Sequence, residues 1–270
     1  MPENIRKKIG LALGSGGWRG LAHLGVIKEF NKQGVPIDYI AGSSAGALIG
    51  GLYSYFNDTE KIEEMINGLN YKSLYNILFD PVRNSGIVGG RKYLKFLESY
   101  IGNVKIEDLK TKFAAVCSDL FEAKPVVLTT GKLSFAIRAS SSIPVIFKPV
   151  KIDGHFLTDG GNVMPVPAQI VREMGADIVV AVNLYNNIFP FKMEYLKKQK
   201  LTSLTISRIS YQMMLYALAR ENVKDADFVI NPKIWEGHFN LFKNFVNNQT
   251  TVEDGEEAAR EIIPALKKLL

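Results

Sequence analysis

Short, mainly apolar runs alternate along the chain with segments whose apolar residues recur at helical spacing. The first run covers residues 8–13 and the second covers 37–41. Between them, a helical pattern begins at Leu21 and ends at Gly34 and Pro36. Continuous apolar runs are typical of strands that are buried on both faces, as in parallel sheets. The pattern therefore predicts an N-terminal β-α-β-α unit with helices on both faces of a parallel sheet.

The same alternation continues to the end of the chain. Further strands are expected at 113–118, 125–129, 177–183 and 228–230, with a hairpin in 150–159 that turns at Asp153-Gly154. Further helices are expected at 91–100, 133–141, 165–174, 204–220 and from about Asp254 onward. Residues 71–79 also carry large apolar side chains, which fit ordinary core packing better than a cover over an active site. We therefore expect an α/β fold with three layers, α/β/α, around a mainly parallel central sheet.

Length and composition favour one domain without a disulfide. The chain has 270 residues, 47% of them hydrophobic, which is enough for a single large core. Cys117 is the only cysteine and lies in an apolar run, so we expect it to be a buried, reduced core residue. No apolar run reaches the about 18 residues of a transmembrane helix, and the run before Gly14 is too short for a signal peptide. The sequence thus predicts a cytoplasmic protein, soluble or attached peripherally to a membrane.

The charge balance is basic but dispersed. The chain has 33 Lys and Arg residues against 27 Asp and Glu, a net charge of +6, which suits anionic partners such as membrane headgroups. The basic side chains are scattered among acidic ones, and this argues against a nucleic-acid-binding face. Residues 185–200 combine apolar side chains with several lysines. This segment either contacts lipid near the active site as a mobile segment, or it forms a subunit interface or packs against the helix at 204–220. The second interpretation, an interface or packing, is favoured.

Residues 42–46 read Gly-Ser-Ser-Ala-Gly and lie between an apolar run and the small residues of a helix start. A strand that enters a helix through so tight a turn holds its central residue, here Ser44, in a strained conformation. Gly42 and Gly46 have no Cβ atoms, so strand and helix can approach closely around the turn. Ser44 then lies at a helix N-terminus, where an anionic tetrahedral intermediate is stabilised. The motif fits a catalytic nucleophile, and by itself it fits an ordinary strand–helix junction equally well.

A second glycine-rich stretch, residues 14–20, separates the first strand from the first helix. It does not complete the Gly-x-Gly-x-x-Gly dinucleotide fingerprint, because Arg19 occupies the position of the final glycine. The acidic residue that this fingerprint places at the end of the second strand is also missing. Consecutive glycines at a helix N-terminus instead form a nest of N–H groups that binds anions. Beside the serine turn this nest would be an oxyanion hole, and nucleotide binding is the less favoured alternative.

The three histidines do not supply an obvious base for Ser44. His23 precedes the serine and has small apolar neighbours, so we expect it to be a buried structural residue. His155 comes before Asp159, and only His238 fits the hydrolase order Ser…Asp…His, without a recognisable motif around it. Asp159 is followed by two glycines, which puts its carboxylate at a sharp bend; alone, this pattern is most often a structural turn. An aspartate that acts directly on the serine is the simplest solution.

Several separated blocks of the sequence resemble the patatin-like phospholipase family in its short bacterial form. They are the glycine loop at 16–20, the stretch at 22–26, the serine motif at 42–46, the segment at 136–144 and the aspartate motif Asp159-Gly160-Gly161. Ser15 replaces the first glycine of the family's usual loop, which leaves the oxyanion amides in place. The resemblance implies a patatin-like hydrolase domain at 8–231, with residues 232–270 as a C-terminal extension packed on the same domain. Residues 231–252 match no block of the family.

The resemblance also implies a mechanism. Ser44 would attack an acyl ester of a lipid or phospholipid, Asp159 would take its proton, and the acyl-enzyme would then be hydrolysed. The amides of Gly16 and Gly17 would form the oxyanion hole, with Arg19 and Gly20 supporting the loop. No cofactor, metal ion or nucleic acid is expected as a partner. A soluble carboxylesterase or thioesterase, or a weakly active regulatory lipid-binding protein, is the alternative, and the acyl-chain, headgroup and positional preferences and the oligomeric state stay open.

Overall fold

The computed structural model describes residues 6–78, 80, 88–190, 200–234 and 249–270. The strands are β1 (Ile9–Leu13), β2 (Tyr39–Ser43), β3 (Lys112–Asp119), β4 (Pro125–Leu128), β5 (Val150–Ile152), β6 (His155–Asp159), β7 (Ile178–Val182) and β8 (Phe228–Ile230). The α-helices are α1 (Leu21–Lys32), α2 (Ala45–Phe56), α3 (Thr59–Asn67), α4 (Tyr71–Leu78), α5 (Arg91–Ile101), α6 (Leu133–Ser140), α7 (Ala168–Glu173), α8 (Ser203–Asn222) and α9 (Gln249–Lys267).

One mixed sheet runs through the centre of the molecule in the order β5-β6-β3-β2-β1-β7-β8, with β4 paired to β3. Strands β3, β2, β1, β7 and β8 are mutually parallel, whereas β4, β5 and β6 are joined by antiparallel pairing. Ile9, Leu11 and Leu13 of β1 face a core that includes α1, α2, α3, α5, α6 and α9. Ala12, on the opposite face, belongs to a second core with α7 and α8. The predicted three-layer α/β/α fold is therefore confirmed.

A row of alanines crosses the sheet on the side of α7. Ala181, Ala12, Ala41 and Ala114 lie at matching register positions in four neighbouring parallel strands. All four are buried in the same core as α7. Small side chains across the row let this helix approach the backbone of the sheet closely.

The edge of β3 explains how the serine and aspartate motifs meet. Ser43, the last residue of β2, pairs with Val116 of β3, and Asp159, the last residue of β6, pairs with Cys117. Because β4 pairs with both Val116 and Cys117 on the other edge, β2 and β6 share one edge of β3 and meet end to end. Opposite strand directions therefore bring Ser44 and Asp159 together, although they are 115 residues apart in sequence.

The last helix differs from the prediction. It begins at Gln249 and not near Asp254, because Val252 and Gly255 pack against α1 and are buried there. A Cβ atom built on Gly25 of α1 would lie 1.9 Å from the carbonyl oxygen of Val252, and one on Gly255 would lie 2.1 Å from that of Ala22. Glycine on both helices permits this close approach. The boundary at residue 231 between a hydrolase domain and an extension stays a prediction, since residues 235–248 lie outside the described ranges.

The sequence predicted a buried, reduced cysteine and no membrane-spanning helix. Cys117 is buried in the sheet with its thiol free, and burial raises the pKa of that thiol. In the part of the chain that the structure describes, no helix combines the length and apolar character that a membrane span requires.

Candidate active site

Ser44 lies at the apex of a sharp turn between β2 and α2. Its φ of +54° is in the left-handed region that residues other than glycine rarely adopt. A Cβ atom on Gly42 would lie 2.4 Å from the carbonyl carbon of Gly46, and one on Gly46 would lie 2.0 Å from the carbonyl oxygen of Leu13. Strand and helix thus approach each other so closely that both positions require glycine. The turn places Ser44 at the start of α2.

Ser44 and Asp159 form a buried hydrogen-bonded pair. The Ser44 Oγ donates a hydrogen bond of 2.6 Å to Asp159 Oδ2, and both residues are at most 5% exposed. The second oxygen, Oδ1, accepts a 2.9 Å bond from the N–H of Gly161. A Cβ on Gly160 would lie 2.1 Å from the carbonyl oxygen of Val116, so this bend also needs glycine. The carboxylate is therefore fixed from one side and free to receive a proton at the oxygen that faces the serine.

Burial changes the basicity of Asp159. It raises the pKa of the carboxyl to about 6, while the hydrogen bonds from Ser44 and Gly161 act in the opposite direction. An ordinary aspartate is too weak a base to deprotonate a hydroxyl efficiently near neutral pH. The raised pKa brings Asp159 closer to the working range of a general base and still leaves it ionised at pH 7 and above.

The glycine loop lies beside Ser44. Its Gly17–Gly20 segment forms one turn of 3₁₀-helix, and Gly17 has a φ of +60°. The Nε of Arg19 donates a 3.1 Å bond to the carbonyl oxygen of Gly16, and its guanidinium lies 5.0 Å from the ring centroid of Tyr185. A Cβ on Gly20 would lie 2.3 Å from the Cβ of Ala45, so the loop contacts the first residue of α2 directly.

The loop leaves two backbone donors available. Within the described ranges, the N–H groups of Gly16 and Gly17 have no hydrogen-bond acceptor. Because Arg19 fixes the carbonyl of Gly16 from inside the protein, the chain there is held in one orientation. The sequence-predicted residues Gly16, Gly17, Arg19 and Gly20 are thus brought next to the Ser44–Asp159 pair.

Three consecutive serines, Ser140 at the end of α6 and then Ser141 and Ser142, hold the pair from behind, and the sequence showed no role for them. The Oγ of Ser140 accepts the N–H of Ser44 at 2.9 Å and donates to the carbonyl oxygen of Val116 at 2.6 Å. The Oγ of Ser141 donates a long hydrogen bond of 3.5 Å to the carbonyl oxygen of Ser44. The carbonyl oxygen of Ser142 accepts the N–H of Asp159 at 3.0 Å. Each serine therefore fixes the backbone of one member of the pair.

Arg138 supports this serine segment. Its guanidinium donates to Ser142 Oγ at 2.6 Å and to the carbonyl oxygens of Gly89 and Lys148 at 3.2 and 3.1 Å. It also lies 4.7 Å from the ring centroid of Phe147. A Cβ on Gly90 would lie 2.0 Å from the Nε of Arg138, so the loop before α5 is closely fitted to it. In sequence, a lone arginine in an apolar helix gives no indication of these long-range contacts.

The two histidines in the described ranges are engaged elsewhere. Nε2 of His23 lies 2.6 Å from the carbonyl oxygen of Gly14, and burial lowers the pKa of this histidine to about 4. It is therefore neutral at pH 7 and donates to Gly14, as a structural residue does. Nδ1 of His155 lies 2.5 Å from Oδ2 of Asp119, whose other oxygen accepts two backbone N–H groups. His238 lies outside the described residues.

An apolar cavity of about 160 Å³ opens beside Ser44. Its lining comes from the glycine loop, α2, α3, α4, α5 and residues 141–147. Leu74 and Ile77 of α4 belong to it, so part of the segment at 71–79 forms a wall of this cavity. The cavity could not be predicted from sequence, because it needs six separate parts of the chain to come together in space.

The segment at 185–200 is described only in part. Ile188 is buried, and the ring of Phe189 packs 5.3 Å from that of Tyr216 in α8. These contacts agree with packing against that helix. Residues 191–199 lie outside the described ranges, so lipid contact there stays a prediction, which binding of the protein to anionic vesicles would test.

In the described residues, no three His, Cys, Asp or Glu side chains come together as a metal site.

Comparison with known proteins gives consistent matches. A family model described as patatin-like phospholipase matches residues 11–172. An uncharacterised NTE family protein of Mycobacterium tuberculosis is 37% identical over 177 residues, which are 66% of this chain and 49% of that protein. The neuropathy target esterase sws of Drosophila melanogaster is 32% identical over 65% of this chain and 13% of its own length. A lysophospholipase of Neurospora crassa is 29% identical over 66% of this chain and 12% of its own length.

These matches cover limited parts of the relatives. The chain spans about half the length of the mycobacterial protein and about an eighth of the other two. Among solved structures, that of VipD from Legionella pneumophila has a TM-score of 0.60 and 14% identity, and covers 96% of this chain and 67% of its own. This likeness concerns the fold alone.

Proposed function

Because the chain belongs to the patatin-like phospholipase family, we propose that it is a serine acyl hydrolase that cleaves acyl esters of lipids through a Ser44–Asp159 dyad. One observation carries the proposal: the Ser44 hydroxyl donates to a buried carboxylate at the edge of an apolar cavity. The names of the relatives, a lysophospholipase and a neuropathy target esterase, support an ester of a lipid as the substrate.

The acylation step follows from the geometry. Ser44 Oγ attacks the carbonyl carbon of the ester while its proton moves to Asp159 Oδ2 along the existing 2.6 Å hydrogen bond. The carbonyl oxygen becomes an oxyanion, which the N–H groups of Gly16 and Gly17 and the N-terminus of α2 stabilise. The intermediate collapses, the bond to the alcohol breaks, and the leaving oxygen takes the proton from Asp159. Ser44 then carries the acyl group as an ester.

Deacylation reverses the roles of the same groups. Water attacks the acyl carbon and gives a proton to Asp159, whose pKa of about 6 makes it an effective acceptor above that pH. The second tetrahedral intermediate expels Ser44 Oγ, which recovers the proton. The products are a carboxylic acid and the free enzyme, and no cofactor enters either step.

The direct test is the activity of variants of the dyad. Ser44→Ala and Asp159→Asn should each abolish hydrolysis of lysophospholipids and aryl esters and leave the folded state intact by circular dichroism. His155→Ala and His238→Ala are the matched controls and should keep most of the activity. If His238→Ala were as inactive as Ser44→Ala, a triad would replace the dyad.

The same substrates separate the alternatives. A soluble carboxylesterase or thioesterase would prefer monomeric esters or thioesters to micellar lysophospholipid. A regulatory lipid-binding protein would bind lipid without releasing fatty acid.

A further inference from the structure

We propose that the apolar cavity beside Ser44 is an acyl-chain pocket for one linear chain of about six to ten carbons, and that Leu52 and Met65 set this limit. This inference rests on the function proposed above, in which Ser44 holds the acyl group. It adds to that function a substrate class, esters of medium-length acids, and the residues that select it.

The described residues that line the cavity present almost only hydrocarbon to it. From the catalytic end, Gly17, Gly20 and Ser44 form one side. The apolar side chains that continue from there are Leu48, Ile49 and Leu52 of α2, Met65, Ile66 and Leu69 near the end of α3, Leu74 and Ile77 of α4, Phe96 of α5, and Ile143, Ile146 and Phe147. A carbonyl bound at Ser44 would therefore direct its acyl chain into an apolar space, where each buried methylene is favourable.

The length of the cavity follows from the geometry of α2. Leu48 and Leu52 follow Ser44 at intervals of four residues, so all three lie on one face of the helix. With a rise of about 1.5 Å per residue, Leu52 lies about 12 Å from Ser44 along the axis. An extended hydrocarbon advances about 1.3 Å per carbon, so about nine carbons cover that distance.

The volume gives a second and independent limit. The cavity has about 160 Å³. An engineered cavity of about 150 Å³ in another protein holds benzene, a molecule of six carbons. The estimates from volume and length bracket the same range, and both exclude a palmitoyl chain.

We place the far end of the cavity at two core residues. Leu52 and Met65 are 1% and 4% exposed and belong to the main hydrophobic core. Along α2, all of which the structure describes, no residue beyond Leu52 lines the cavity. A longer chain would therefore have to displace packed core side chains or leave its end in water, and either choice removes the gain from the additional methylenes.

The test is a chain-length profile of the wild-type enzyme with p-nitrophenyl esters from butanoyl to palmitoyl. We expect kcat/KM to rise by about fourfold per methylene at first and to reach its maximum at octanoyl or decanoyl. A kcat/KM that keeps rising to palmitoyl, or one that does not depend on chain length, would overturn the inference while leaving the proposed function intact. Failure to hydrolyse any ester would instead count against the proposed function.

Two substitutions should move the maximum in opposite directions. Leu48→Phe fills the cavity one helical turn from Ser44, so the preference for decanoyl over butanoyl should fall by at least about tenfold. Met65→Ala removes the end wall, so the maximum should move by about two carbons toward longer chains. Ile62→Ala is the matched control for Met65→Ala, because Ile62 also lies on α3 and in the same core. Among the described residues that line the cavity, Ile62 is not included. Ile62→Ala should lower the melting temperature and keep the profile. A profile that is equal in all three variants would contradict the assignment.

Calorimetric titration with soluble fatty acids from butanoic to dodecanoic acid tests the pocket without turnover. The dissociation constant should fall by about fourfold per methylene up to about ten carbons and then stop falling. Absence of this break would overturn the inference even if the protein hydrolyses nothing.

Discussion

The properties of Asp159 result from two opposing effects on one carboxyl group. Burial disfavours its charge, and the hydrogen bonds from Ser44 and Gly161 favour it; burial dominates and the pKa rises to about 6. A fully solvated aspartate would be ionised at every physiological pH and would be a weaker base. Burial therefore increases the catalytic usefulness of this residue and at the same time costs stability.

Activity should depend on pH through this group. Only the ionised carboxylate can accept the Ser44 proton, so kcat/KM should fall about tenfold per pH unit below about 6 and reach a plateau above it. A pH–rate profile with a soluble aryl ester measures this directly. An acid limb near pH 4 would mean that the pKa of Asp159 is not raised, and a profile without an acid limb would mean that Asp159 is not the essential base.

Stability should depend on the same group with the opposite sign. The pKa is 3.8 in the unfolded chain and about 6 in the folded one, so the folded state holds this proton more tightly. Its contribution is therefore fully present below pH 4 and is lost as the pH rises through about 6. Asp159→Asn should remove this penalty and raise the free energy of unfolding by up to about 3 kcal/mol at pH 8, with a smaller gain at pH 5. Urea unfolding at pH 8 and pH 5 measures this gain, and Asp153→Asn in the exposed hairpin turn is the control. If Asp159→Asn gained the same free energy of unfolding at both pH values, the pKa of Asp159 would not be raised in the folded state.

Two segments turn this residue pair into an active site. The glycine loop supplies the donors that face the substrate, and the serine segment 140–142 at the end of α6 holds the backbones of Ser44 and Asp159. Sequence pointed to the first segment, since consecutive glycines have few other uses at a helix start. It could not assign the second, because hydroxyls that bond to backbone nearly 100 residues away leave no local pattern.

The conformation of the glycine loop should affect turnover more than binding. Gly17 has a φ of +60° with open space where a Cβ would lie, and Gly34, in the turn after α1, has a φ of +66° and equally open space. Alanine at either position should cost about 1 kcal/mol of stability through backbone strain. Only Gly17→Ala should also lower kcat, by up to about 100-fold with a smaller change in KM, because it shifts an oxyanion donor. Steady-state kinetics of the two variants decide this, and a pure KM effect would assign the loop to ground-state binding.

The serine segment offers a matched pair of its own. Ser140→Ala removes the acceptor of the Ser44 N–H and the donor to Val116, so it should cost about 1–3 kcal/mol of stability. It should also lower kcat by about 10- to 100-fold, because the nucleophile loses its anchor. Ser134 lies in the same helix, equally buried, and its Oγ has no hydrogen-bond partner among the described residues. Ser134→Ala should therefore change neither quantity. Urea unfolding measures the stability of both variants, and steady-state kinetics measure their kcat. If Ser140→Ala had the same kcat as Ser134→Ala, Ser140 would not position Ser44.

In the whole molecule, the sequence predicted the layers of the fold correctly but not the contacts that the layers make with each other. Alternating apolar runs at 8–13, 37–41 and 177–183 gave the parallel strands and therefore the three-layer fold, because a run buried on both faces has few other placements. The start of α9 was wrong by five residues, since its first turn is fixed by packing on α1 and not by its own periodicity. The cavity was missed for the same reason.

The pairing of Ser44 with Asp159 depends both on local sequence motifs and on the topology of the sheet. Each residue lies in a motif that the sequence displays, and their meeting depends on β6 running antiparallel to β3 and ending where β2 ends. A topology in which β6 paired elsewhere would separate the two motifs and leave the serine without a base. The function proposed for the chain therefore depends on the arrangement of the sheet as much as on the two residues.

The site and rate of covalent labelling by an alkyl fluorophosphonate test this account most directly, because the reagent reports the activated nucleophile without any assumption about the substrate. Peptide mass spectrometry should find the label on Ser44, and the labelling rate should rise as the pH passes through about 6. Asp159→Asn should slow the reaction by about 10²–10⁴, as expected when a general base is removed. Labelling of a different residue, or labelling of Ser44 in Asp159→Asn at the wild-type rate, would contradict a nucleophile that Asp159 activates.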